Sequence, residues 1–67
     1  MMIEVIDTHN TPHNIDPASV YLYSRRSPHD EFYTVKLEVD GKKYELDLPT
    51  AELRKLQRAL ASLSASP

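Results

Sequence analysis

The chain's single glycine, Gly41, follows Asp40 and stands between two stretches in which apolar and polar residues alternate. Before it, Tyr33, Val35, Leu37 and Val39 interleave with Thr34, Lys36, Glu38 and Asp40. After it, Tyr44, Leu46 and Leu48 interleave with Lys43, Glu45 and Asp47. A period of two over this length describes strands with one dry and one wet face. Asp-Gly suits a two-residue type I′ turn, whose central residues both need positive φ. Such a turn sets the register: Val39 opposite Lys42, Glu38 opposite Lys43, Leu37 opposite Tyr44, Lys36 opposite Glu45 and Val35 opposite Leu46. From Glu38 to Val35, opposite charges face each other and apolar faces apolar, at roughly 0.2–1 kcal/mol per pair. A slip of one residue would undo every match.

Downstream, Leu53, Leu56, Leu60 and Leu63 recur at spacings of three, four and three, the stripe of an amphipathic helix over about 51–62. Thr50 is the expected N-cap, and Glu52 lies in the first turn, where the helix dipole favours an acid. Upstream, Ile3–Ile6 is a short β-prone run and Asp7–Asn14 reads as a loop. Asp16-Pro17 opens a turn, and Ser19–Ser24 reads as a strand with Val20 and Leu22 on one side, Tyr21 and Tyr23 on the other. Ser24–Glu31 is a polar loop. The expected fold is α+β: an antiparallel β-meander of about four strands with one C-terminal α-helix packed on one face, in the order β-β-β-β-α. Residues 1–63 form one domain and 64–67 a frayed tail. The expected core is Ile3, Val5, Val20, Leu22, Val35, Leu37, Tyr44, Leu46, Leu53, Leu56 and Leu60.

At 67 residues the chain has no room for a second domain or a large internal cavity. It has no cysteine, hence neither disulfides nor thiolate metal sites. The acidic start MMIEVID does not resemble a signal peptide, no run is long enough to span a membrane, and a cytoplasmic location is the expectation. The net charge of −2 tilts against non-specific nucleic-acid binding. Charge is also segregated: acids exceed bases by three over Leu37–Glu52, whereas Leu53–Pro67 carries only Arg54, Lys55 and Arg58.

The segments MIEVID, NIDPASVYLY and TVKLEVDGKKYELDLP with a closing helix resemble the layout of the small flagellar FlbD-type proteins. The phrase LEVDGKKYELDLPTAELRKL also looks like the strand-turn-strand-helix dimerisation domain of actinobacterial xenogeneic silencers. Either resemblance implies a regulatory or assembly module, often self-associating and without catalysis. The appended DNA-binding domain and basic tail of the silencers have no counterpart here, so DNA bridging is not carried over.

His9 and His13 are four apart with Asp7 and Asp16 nearby, but Pro12 lies between them, and the reading is of solvated loop histidines with no metal. Ser19, Ser24 and Ser27 have no base placed beside them by spacing, and one glycine cannot make a phosphate-cradling loop. No catalytic residue or cofactor is expected, and the chain reads as a non-enzyme. Tyr21, Tyr23, Arg25 and Arg26 are the candidates for partner binding, since Tyr and Arg combine large contact area with polar ends. With Val20 and Leu22 facing the helix, both tyrosines would stand on the open sheet face. The acids Glu38, Asp40, Glu45 and Asp47 complete the set, as a surface that could occupy a partner's nucleic-acid groove. The expectation is a small non-catalytic interaction module, a regulator or inhibitor of the phage or mobile-element accessory type, binding another protein. The alternative is a nucleic-acid-binding regulator that uses Tyr21, Tyr23, Arg25 and Arg26. Because one helix covers only part of a sheet, a homodimer is also expected.

Overall fold

The turn at Asp40-Gly41 forms as its sequence dictates, with φ of 53° and 79°. In the computed structural model, which describes residues 1–25, 28–29 and 31–64, the turn joins two eight-residue strands. These are β4 (Phe32–Val39) and β5 (Lys42–Pro49). Their register runs from Val39↔Lys42 through Val35↔Leu46 to Phe32↔Pro49 without a slip. Strand β3 (Val20–Ser24) pairs antiparallel with β4 on its other side, completing a three-stranded meander ordered β3-β4-β5.

Two further strands form a separate sheet. β1 (Ile3–Ile6) pairs antiparallel with β2 (Pro12–Ile15), with Ile3↔Ile15 and Val5↔His13 opposite each other. The α+β class with a meander packed on a helix therefore holds. β1 does not join the meander, however, and a fifth strand occupies part of the segment read as loop. PHNI offers one aliphatic residue and a proline, so period two is not visible in it; pairing with β1 makes it a strand, with Pro12 tolerated at its first position.

A single turn of 3₁₀ helix (Pro17–Ser19) then leads into β3. Asp16 Oδ1 accepts from the Ala18 amide at 3.0 Å, and the buried Pro17 occupies the first turn. The C-terminal helix α1 (Thr50–Ser64) follows β5 directly. Thr50 is already helical, and its hydroxyl points at the Glu31 carbonyl at 3.4 Å.

The core lies where α1, β1 and the 3₁₀ turn meet the meander. Val5, Ile15, Val35, Leu37, Leu48, Leu53, Leu56 and Ala59 are buried, with Ile3, Val20, Tyr33, Leu46 and Leu60 packed against them. Two expected core residues are not there: Leu22 is 48% exposed and Tyr44 50%. Leu22 is displaced by a bulge. Val20 pairs with Leu37, but Leu22 pairs with Lys36 and Tyr23 with Val35, leaving Tyr21 without a partner. One unpaired residue inverts the alternation, because side-chain direction has period two. Tyr44 does lie on the core side, opposite Leu37, but near the turn, beyond the helix and small hairpin. Leu63, last of the leucine stripe, is 41% exposed, because the 15-residue helix, roughly 22 Å long, runs past the sheet.

Candidate interaction surfaces

The wet face of the meander is assembled by the register. Lys36 stands opposite Glu45 and Glu38 opposite Lys43, while Thr34 faces Asp47 and donates to its Oδ1 at 3.0 Å. The two charge pairs share a face but do not close to contact. Among the described residues the ion pairs are His13–Asp7 and Lys55–Glu52. Lys43 turns to Tyr21 instead, its ammonium 5.9 Å from the ring centroid, in the range of a cation–π contact. Tyr21, Lys36, Lys43, Tyr44 and Glu45 line a shallow groove of about 260 Å³. Next to it, the bulge turns Leu22 to the same side as Lys36. The wet face therefore carries an exposed aromatic ring and an exposed aliphatic side chain beside Lys36, Glu38 and Glu45, which close no ion pair among the described residues.

The bulge also separates residues expected to act together. Tyr21 lies on the wet face, whereas Tyr23 pairs with Val35 and so points to the other side. This corrects the expectation that both tyrosines share the open face. The Arg25 guanidinium lies 5.5 Å from the ring centroid of Tyr33, itself packed against the core. Arg26 lies outside the described residues. Of the acids, Glu38, Asp40 and Glu45 are exposed, Asp40 at the tip of the turn. Asp47 is half-buried and engaged by Thr34, and its carbonyl accepts from the Thr8 amide at 2.9 Å.

On the opposite side of the same hairpin end, His13, Ile15, Leu37, Val39, Tyr44 and Leu46 line a groove of about 340 Å³. Val39 and Tyr44 are its exposed apolar members. Sequence reasoning missed this patch because alternation identifies a dry face without showing how far the covering elements reach.

The histidine-bearing loop is organised by Asp7. Its Oδ1 accepts from the amides of His9 at 2.8 Å and Thr11 at 3.0 Å, and its Oδ2 lies 2.8 Å from His13 Nε2. The His13 contact, with the two amides, holds the Asp7 carboxyl below the ordinary aspartate value despite partial desolvation. Asn10 closes the loop in the left-handed region at φ 64°. Among the described residues, no group of three or more His, Asp or Glu could hold a metal ion. Ser19 donates to the Asp16 carbonyl at 2.6 Å, so its hydroxyl is engaged in the 3₁₀ turn.

Compared with known protein families, curated proteins and solved structures, the chain finds no match. Among the described residues, no helix is long and apolar enough to cross a membrane.

Proposed function

We propose that this chain is a non-catalytic interaction module that binds another protein through the wet face of its meander and thereby regulates or inhibits it. The observation that carries the reading is the pairing of exposed apolar side chains with uncommitted charges on one rigid sheet. Tyr21 and Leu22 stand beside Lys36, Glu38 and Glu45, none of which closes an ion pair among the described residues. An aromatic anchor rimmed by charges is the composition of a binding hot spot. A sheet face also positions such groups with little loss of backbone freedom on binding.

The nucleic-acid alternative has less to support it. It needs Tyr21 and Tyr23 stacking bases along one surface with Arg25 and Arg26 gripping phosphate, of which Arg26 lies outside the described residues. The bulge puts the rings on opposite sides, and Arg25 lies against Tyr33. The non-catalytic reading is supported by Ser19, whose hydroxyl is engaged by the Asp16 carbonyl.

The test is comparative capture of binding partners from the native host by the wild-type chain, Tyr21→Ala and the double reversal Glu38→Lys/Glu45→Lys. A partner bound through this face is lost or weakened by both variants, Tyr21→Ala alone costing about 2 kcal/mol if it is a hot spot. Equal retention of every partner by folded variants would refute the assignment.

A further inference from the structure

β5 leaves one edge open, and the residues along it are complementary to themselves. In a two-residue hairpin the closing pair, Val39 and Lys42, is hydrogen-bonded, so Tyr44, Leu46 and Leu48 direct their backbone groups toward β4. Lys43, Glu45 and Asp47 therefore direct theirs outward. The structure bears this out at Asp47, whose carbonyl accepts from the Thr8 amide. β5 pairs with β4 alone, and Thr8 supplies the one backbone bond from another element that reaches this edge among the described residues. Lys42, Lys43, Tyr44 and Glu45 are all exposed. An unpaired strand edge is a template for another strand.

We infer that this edge takes the same edge of a second copy, as an antiparallel pair about a two-fold axis through Tyr44. In that register Lys43 faces Glu45 of the second copy, and Glu45 faces Lys43 of the second copy. All four residues are outward-directed, so the two pairs exchange four backbone hydrogen bonds, and each also brings opposite charges together on the wet face. Tyr44 then meets Tyr44 of the second copy as a non-hydrogen-bonded pair, the closer kind, on the apolar side beside the groove under Val39 and Leu46. The next outward pair would set Asp47 against Gly41. There the edge is occupied by the Thr8 bond, so pairing stops after three residues and remains a closed dimer. The result is one continuous six-stranded sheet with a two-fold axis at its centre. Register supports the partner choice: a shift of one residue would set Lys43 against Tyr44 and point the outward groups past each other.

The dimer shares Glu45 with the proposed partner surface but rests on the backbone edge of β5 rather than on the sheet face, and its failure would leave that reading standing. The test is sedimentation of the full chain and of two single reversals at about 100 µM, a concentration that populates a dimer of micromolar affinity. The wild type is expected at twice 7.7 kDa. Lys43→Glu places Glu opposite Glu45 twice, and Glu45→Lys places Lys opposite Lys43 twice, so each alone is expected to run as a monomer. Mixed in equal amounts, they present Glu–Lys at both pairs and are expected to recover the doubled mass as a heterodimer. Each substitution also puts like charges opposite one another within its own hairpin, so recovery on mixing cannot come from a restored hairpin. Should either variant fail to fold, amide exchange of the wild type carries the test: the Lys43 and Glu45 amides become protected as concentration rises. A wild-type monomer, reversals that still self-associate, folded reversals that do not associate on mixing, or a dimer whose Lys43 and Glu45 amides exchange freely would each overturn the inference.

Discussion

Gly41 tests the cost of backbone conformation alone. Its φ is 79°, and a Cβ placed there would meet no atom within 4 Å. Gly41→Ala therefore clashes with nothing and is opposed only by left-handed strain, about 1–2 kcal/mol. Gly41→Asn, which tolerates that region, should cost less. Chemical denaturation of the two variants checks this, and equal losses would show that the turn does not keep its type I′ form. Glu52 is the other residue whose role is specific. It was legible in the sequence as an acid answering the helix dipole, yet its Oε1 accepts from the Ile6 amide at 2.9 Å and meets Lys55 Nζ at 2.9 Å. It thus ties the first turn of α1 to the open edge of β1. Glu52→Gln keeps an acceptor for Ile6 and loses only the half-exposed ion pair with Lys55, worth about 0–1 kcal/mol. Glu52→Ala removes both and should cost about 1 kcal/mol more. Thermal melts that rank Gln at or below Ala would contradict this role.

At the scale of elements, β3 shows how one residue redirects a strand. VYLYS alternates cleanly on paper, and that alternation assigned Leu22 to the core and both tyrosines to the open face. The bulge at Tyr21 is set by pairing with β4 rather than by local preference, so no local pattern announces it. Deleting Tyr21 should leave a regular strand, with Val20 still opposite Leu37 and Leu22 still opposite Lys36. Cross-strand nuclear Overhauser contacts between these pairs, unchanged in a folded deletion variant, would verify it. Loss of the contacts would mean that the bulge is needed for the register. The β1–β2 hairpin illustrates the same point, because His13 and Asn14 become strand residues only through Val5 and Glu4 opposite them.

At the scale of the whole molecule, stability depends on a small core. A domain of this size buries only about 60% of the surface its unfolded chain exposes. Leu48, Leu53 and Leu56 are essentially sealed from solvent. Leu56→Ala should cost about 2–5 kcal/mol, enough to populate the unfolded state, whereas Leu63→Ala on the exposed helix end should shift stability by less than about 0.5 kcal/mol. Acid should act on the β1–β2 hairpin and on its attachment to α1. The carboxyls of both Asp7 and Glu52 are held below their ordinary values: Asp7 chiefly by His13, Glu52 chiefly by its hydrogen bond with Lys55, with the Ile6 amide adding to it. A carboxyl lowered on folding contributes stability above its unfolded value, and that contribution disappears as pH falls through the folded one. Stability should therefore be level near neutrality and decline below about pH 4, with the Ile6 and Thr11 amides losing exchange protection first. An Asp7→Asn/Glu52→Gln chain should show a shallower decline; an identical one would place the acid sensitivity elsewhere.

The type I′ turn, the register of β4 on β5 and the helix with its buried Leu53 and Leu56 were determined by the sequence itself. Each rests on contacts between near neighbours or on a periodicity that the chain displays in one dimension. The bulge, the second sheet, the reach of the helix over the meander and the uncovered ends at Leu22 and Tyr44 were decided only in three dimensions. They depend on which strand finds which partner, and on how far a helix of fixed rise extends across a sheet of fixed width. Side-chain order along the chain carries neither quantity.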